Sequence, residues 1–260
     1  MHPLNPPILF IALAVGAASG SIGAFIILRR MALVGDALSH VALPGIAFAL
    51  VMHYDPLWGA LAFLFSAAYL VWWLEGRTRL PAEAIIGILF AGSLAIGILT
   101  IPNVEIIESL FGAFPALSLL PLVLTVTLAI GATVAAFLLA RRFLFRILSP
   151  ELATVKGVNR NHDLLFYLLF SLVVGLGIKL VGTLLMGALT IIPAAIARNV
   201  SRSMAVYLPL SSFLGAALSA AGVALAYYLG VPPGPTIILL GIALFVVSLG
   251  LVRHPIRMST

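Results

Sequence analysis

Cysteine is absent from the 260 residues, which excludes disulfides, thiolate metal sites and cysteine-based catalysis. Charge is scarce: Asp, Glu, Lys and Arg make up 8% of the chain, against about 25% in soluble domains. No polar stretch is long enough to fold as a soluble domain of its own. No G-x-x-x-x-G-K-[ST] loop appears, so any ATP that drives this protein is hydrolysed on another chain. Nor is there an H-E-x-x-H motif or a Ser/His/Asp set for intramembrane proteolysis. The chain is therefore expected to carry no catalytic residues and to bind no permanent cofactor.

What is there is apolar. Hydrophobic residues form 63% of the chain, and lipid is the solvent that such a surface requires. A helix needs about 20 apolar residues to cross the hydrocarbon. Candidate spans run 8–28, 31–52, 57–74, 84–101, 120–140, 163–181, 183–197, 204–229 and 235–252. The expected fold is all-α, a polytopic transmembrane bundle of eight or nine helices in one transmembrane domain, 1–260. The N-terminus lacks a basic segment and a cleavage site, so the first run is expected to be a spanning helix rather than a removed signal.

The 14 Lys and Arg exceed the 8 acidic residues. They sit in short clusters that set membrane orientation, not in a patch for nucleic acid. Arg29 and Arg30 follow the first run, and Arg77 and Arg79 the third. Arg141, Arg142, Arg146, Lys156 and Arg160 follow the fifth, Arg198 and Arg202 the seventh, and Arg253 and Arg257 the ninth. Connections 53–56, 102–119 and 230–234 hold no Lys or Arg, but hold Asp55, Glu105 and Glu108. This alternation predicts nine passes, N-terminus outside and C-terminus cytoplasmic, with eight passes if the first run does not span fully. Lys179 breaks the pattern, and a lysine at a helix end snorkels. Gly16-x-x-x-Gly20, with Ser19 and Gly23, permits close helix approach, either within the bundle or at a dimer face. The outer stretch from Pro102 has an amphipathic part at Val104 to Phe114, suited to lying along the surface or capping a pore.

Chemistry concentrates in the second run. Asp36 and His40 are four apart and share one helix face, with Pro44-Gly45 one turn later. Ionisable side chains at this depth face a cavity or a partner. Carboxylate plus imidazole suits Zn, Mn or Fe(II); the other reading is a structural Asp–His hydrogen bond. Two ligands are too few for a metal site, so others must come from further helices, water or a second copy. His53 and Asp55 form either a cation-catching mouth or a solvated turn ahead of Pro56. Glu105 and Glu108 are mouth carboxylates or loop charges, while His2, His162 and His254 flank spans without a reason to ligate.

Between the fifth and sixth runs, Ser149, Pro150, Glu151, Leu152, Ala153, Lys156 and Gly157 read as a short capped helix. Ser149 is the N-cap, Pro150 the first position, Glu151 faces the positive helix end, Lys156 the negative end, and Gly157 is the stop. Such a helix serves either as a rigid knob for a cytoplasmic partner or as an interfacial helix on lipid.

The run Gly35-Asp36-Ala37-Leu38-Ser39-His40-Val41-Ala42-Leu43-Pro44-Gly45 resembles the signature of the zinc/manganese/iron-type ABC transporter permeases. Ser149-Pro150-Glu151-Leu152-Ala153 through Lys156-Gly157-Val158 resembles that family's coupling segment. Lys179 to Leu185, with Ile191-Ile192-Pro193-Ala194-Ala195, is similar to its late Gly- and Pro-containing span, and Pro232-Pro233-Gly234-Pro235-Thr236 also fits. The landmarks are in order and cover most of residues 20–240. The resemblance implies two permease copies (a homodimer) in the cell membrane, a cytoplasmic ATP-binding subunit and an extracytoplasmic metal-binding protein. It implies that Asp36 and His40 touch the ion in transit and that 149–158 docks the ATPase. Rival readings are a proton-coupled metal antiporter acting without an ATPase, and an ABC permease for a metal chelate in which Asp36 and His40 are structural.

Overall fold

The computed structural model describes residues 6–100, 119–149, 151, 153 and 157–251. The amphipathic stretch at 104–114, Glu105, Glu108, His2, His254, Arg253, Arg257, Pro150, Leu152 and Lys156 lie outside them. The described residues are helical, with no strand among them. The helices are α1 (Pro6–Leu28), α2 (Val34–Val41), α3 (Leu43–Val51), α4 (Pro56–Glu75), α5 (Ala82–Thr100), α6 (Leu119–Leu148), α7 (Asn161–Val181), α8 (Met186–Val200), α9 (Met204–Leu229) and α10 (Pro233–Leu249). With α2 and α3 counted as one bent run, they follow the nine expected runs. Six runs are long and apolar enough to cross a membrane, and three shorter helices are also apolar. The chain is an all-α, multi-pass membrane protein.

The fifth run, expected to end at 140, continues as helix to Leu148 with Arg141, Arg142 and Arg146 inside it. Two starts moved by three residues, each for a backbone reason. The second run starts at Val34 because Arg30 adopts a left-handed conformation (φ 62°) that stops α1, with the Met31 N–H donating to the Ile26 carbonyl at 3.0 Å. The run then bends at Ala42, since Pro44 has no N–H to offer the carbonyl four residues back. The seventh run starts at Met186 rather than 183. Gly182 (φ 86°, ψ 168°) takes the chain out of α7, and 183–185 form a turn whose Thr183 is wholly buried.

In lipid, helices gain little by hiding apolar side chains from hydrocarbon, so close packing of small residues and interhelical hydrogen bonds hold the bundle. α1 is the centre of this packing. Gly16 abuts the Gly215 carbonyl, Gly20 the Ser211 carbonyl and Gly23 the Thr190 carbonyl, so a methyl at any of them would strike backbone. Ser211 and Ser212 donate to the Gly20 and Ala17 carbonyls at 2.5 and 3.0 Å. The small-residue face of α1 is thus used within the chain, against α9 and α8. An edge-to-face cluster of Phe25, Phe143 and Phe166 joins α1, α6 and α7, with ring centres 5.4 to 6.4 Å apart.

Candidate functional site

α2 carries Asp36 near its start and His40 one turn on. Asp36 is exposed, while His40 is 8% exposed with its ring 5.4 Å from that of Phe90 on α5. The residue between them on the buried side fixes their setting. The Ser39 hydroxyl lies 2.5 Å from the Thr183 carbonyl and 2.7 Å from the Asp36 carbonyl, so its hydrogen is shared between two acceptors. Its oxygen is 3.4 Å from His40 Nδ1. A proton on Nδ1 faces that oxygen, and Nε2 then carries the lone pair, as metal ligation requires.

The same place is where α8 begins. A Cβ on Gly187 would stand 2.7 Å from the Asp36 nitrogen and 2.9 Å from its Cα and Cβ. Only glycine lets α8 start against the backbone of the carboxylate-bearing turn. The signature run and the late Gly- and Pro-containing span, about 150 residues apart in sequence, therefore meet at Asp36 and Gly187. No described Lys or Arg pairs with Asp36. Among the described residues no group of three His, Cys, Asp or Glu is placed to hold a metal ion. One copy of the chain thus offers a carboxylate and an imidazole, fewer donors than a metal site needs.

The outer candidates resolve differently. His53 stops α3 in a left-handed conformation (φ 57°), with the Tyr54 N–H on the Ala49 carbonyl at 2.8 Å. Asp55 caps α4, accepting from the Leu57 N–H at 2.8 Å, and pairs with Lys179 at 2.9 Å. The solvated-turn reading holds, and the exceptional lysine has a carboxylate partner. Partial burial opposes ionisation of Asp55, but the Lys179 hydrogen bond, the Leu57 N–H and the lysine charge together hold its carboxyl below the usual value.

In the 149–158 segment, the Ala153 N–H donates to the Ser149 carbonyl at 3.0 Å and the Val158 N–H to the Ala153 carbonyl at 2.9 Å. Gly157 has φ 71°, a left-handed conformation that glycine adopts without strain. Glu151 is exposed, and Ala153 and Val158 are buried.

One cluster was not anticipated. Asp163, 6% exposed, accepts from Arg29 of α1 at 2.7 Å and from Arg146 of α6. The Arg29 guanidinium lies 4.3 Å from the centre of the Phe166 ring. Tyr167 donates to Glu75 of α4 at 3.1 Å, the Trp72 indole donates to the Arg160 carbonyl at 3.1 Å, and Arg160 donates back to the Trp72 carbonyl. The basic residues after the first and fifth runs were read as orientation charges alone. The available signal was Asp163, an acidic residue opening an apolar run.

Sequence and structure comparisons agree with this architecture. Residues 2–251 match the ABC 3 transport family. The manganese import system permease protein ScaB of Streptococcus gordonii is 32% identical over 245 residues, covering 92% of this chain and 88% of that protein. The high-affinity zinc uptake system membrane protein ZnuB of Haemophilus influenzae is 28% identical over 258 residues, covering 94% and 95%. PsaBC from Streptococcus pneumoniae, solved in complex with a Fab, superposes with a TM-score of 0.77 at 31% identity, covering 94% of this chain and 90% of that one. The chain belongs to the ABC 3 transport family and is a permease of the metal-ion ABC transporter type.

Proposed function

We propose that this chain is the permease subunit of an ATP-driven importer for a divalent metal ion: zinc, manganese or iron. Two copies form the pathway, a cytoplasmic ATPase docks on 149–158, and an extracytoplasmic binding protein delivers the ion. In this reading the C-terminus is cytoplasmic and the N-terminus outside, which the alternation of basic clusters along the sequence supports. Asp36 and His40 hold the ion in transit. The named activities of the manganese and zinc relatives support the substrate class. The α2–α8 crossing is the observation that carries the site: a carboxylate and an imidazole one turn apart, with no described basic side chain paired with the carboxylate. A second copy supplies a second Asp36 and His40, which raises the donor number to four. Borderline nitrogen and oxygen donors suit these ions, and holding must stay weak enough for release.

The test is metal uptake into proteoliposomes that contain the permease, its ATPase and its binding protein. Asp36→Ala and His40→Ala are expected to lower ATP-dependent uptake by at least about tenfold with the ATPase still bound. Full uptake in both variants would make these residues structural. Uptake without ATP would point to proton-coupled transport instead.

A further inference from the structure

The 149–158 segment is flanked by Arg146 near the end of α6 and by Arg160 and Asp163 at the start of α7. The two flanks are fastened to each other. Asp163, on the α7 flank, is bonded to Arg146 on the α6 flank and to Arg29 at the end of α1. Arg29 extends this contact over the Phe166 ring, and its planar fork is matched to a carboxylate in a way an ammonium is not. A buried carboxylate between two guanidinium groups tolerates little independent movement, because separating either pair strands a charge in a poorly solvated place.

From Arg29 the contact continues through solid packing. Leu28 ends α1 and Arg29 follows directly, and Gly23 of α1 rests on the Thr190 carbonyl of α8. α8 begins with Met186 and Gly187, and Gly187 rests on the backbone of Asp36. Through these contacts α1 and α8 link the Asp163 clasp beside the 149–158 segment to the turn that carries Asp36. We propose that the Arg29–Asp163–Arg146 bridge is the mechanical joint that carries movement of the 149–158 segment into α1 and α8, with Asp163 as its positioning residue. The inference rests on the reading of 149–158 as the ATPase docking site. Asp163 touches neither ion nor nucleotide; it acts through Arg29.

Arg29→Gln separates joint from scaffold, since it frees α1 and leaves the Arg146–Asp163 pair intact. In the complete reconstituted transporter this variant is expected to retain its bound ATPase and basal ATP hydrolysis. It should lose metal uptake by about tenfold, within the ~5–150-fold span of ordinary allosteric couplings, so that more ATP is spent per ion. Arg29→Lys should recover part of the ratio. Because the chain has no cysteine, Leu184→Cys gives a single reporter beside the α8 start, 42% exposed. Its maleimide labelling rate should change with ATP in the otherwise unaltered protein and stop changing in Arg29→Gln. A normal ATP-to-ion ratio in Arg29→Gln, or uptake lost only in proportion to ATPase lost, would overturn the proposal. The docking reading fails by another readout: ATPase that co-purifies undiminished with both Glu151→Arg and Ala153→Trp.

Discussion

Two regions of this protein hold carboxylates at helix starts and treat them in opposite ways. Asp163, opening α7, is buried and clasped by Arg29 and Arg146 beside an aromatic wall. Asp36, in the first turn of α2, is exposed, faces no described basic side chain, and sits where α8 starts from an irregular turn. The first arrangement satisfies its charge internally and ties three elements together. The second leaves a carboxylate and an imidazole one turn apart with no described basic partner, the arrangement on which the proposed ion pathway rests. A bundle that moves an ion needs both: stiff joints whose charges cancel, and one place where they do not.

The contrast breaks most sharply by substitution at the two aspartates. Asp163→Ala strands two guanidinium groups and is expected to lower stability by about 3–5 kcal/mol, read as thermal unfolding in detergent. Asp36→Ala removes an exposed, unpaired carboxylate and should leave the same transition within about 0.5 kcal/mol while abolishing uptake. Equal destabilisation by both would erase the distinction between the regions.

Gly187→Val tests the crossing itself. A side chain there meets Asp36 backbone, which has no rotamer to yield, so an overpacking penalty of about 1–3 kcal/mol and loss of uptake are expected. Retained uptake with a normal unfolding temperature would mean that α8 does not need to touch α2. A smaller effect is expected from Ser39→Ala, which removes the hydroxyl held by the Thr183 carbonyl. About 1 kcal/mol of stability should go, with uptake reduced rather than abolished, because the His40 ring loses its Nδ1 partner.

The smallest effect belongs to the outer end. The Asp55 carboxyl is depressed in the folded protein, so the unfolded chain binds the extra proton as pH falls. Its contribution is fully present above the ordinary value of 3.8 and is lost as pH drops through the lower folded value. Exposure and screening keep it below about 1 kcal/mol. Lys179→Met should remove this acid dependence of unfolding without touching uptake at neutral pH.

Much of this was legible in the chain. Hydropathy located the nine runs because lipid requires every backbone group in a span to be satisfied locally. Pro44 announced a bend near His40, and Gly157 a left-handed position, since both act on their own backbone. The seventh run was misplaced by three residues at its start because Thr183 to Leu185 are as apolar as a helix interior, and only the conformation of Gly182 sets them apart. The partners of the α1 glycines, the Asp163 clasp and the Asp55–Lys179 pair were invisible. Apart from Arg146–Asp163, which are 17 positions apart, each joins residues more than a hundred positions apart, and no local period records such a pairing.

The sequence by itself determined the solvent, the helix count, the charge asymmetry between the two ends and the presence of Asp36 and His40 on one face. These follow from side-chain transfer into hydrocarbon and from helical geometry, which need no long-range contact. Tertiary structure alone decided which charges are cancelled. Arg29 and Arg146 are consumed by Asp163, Lys179 by Asp55, and Asp36 is left to α8's first glycine, because burial and neighbours, not residue type, set whether a carboxylate meets an arginine or stays open.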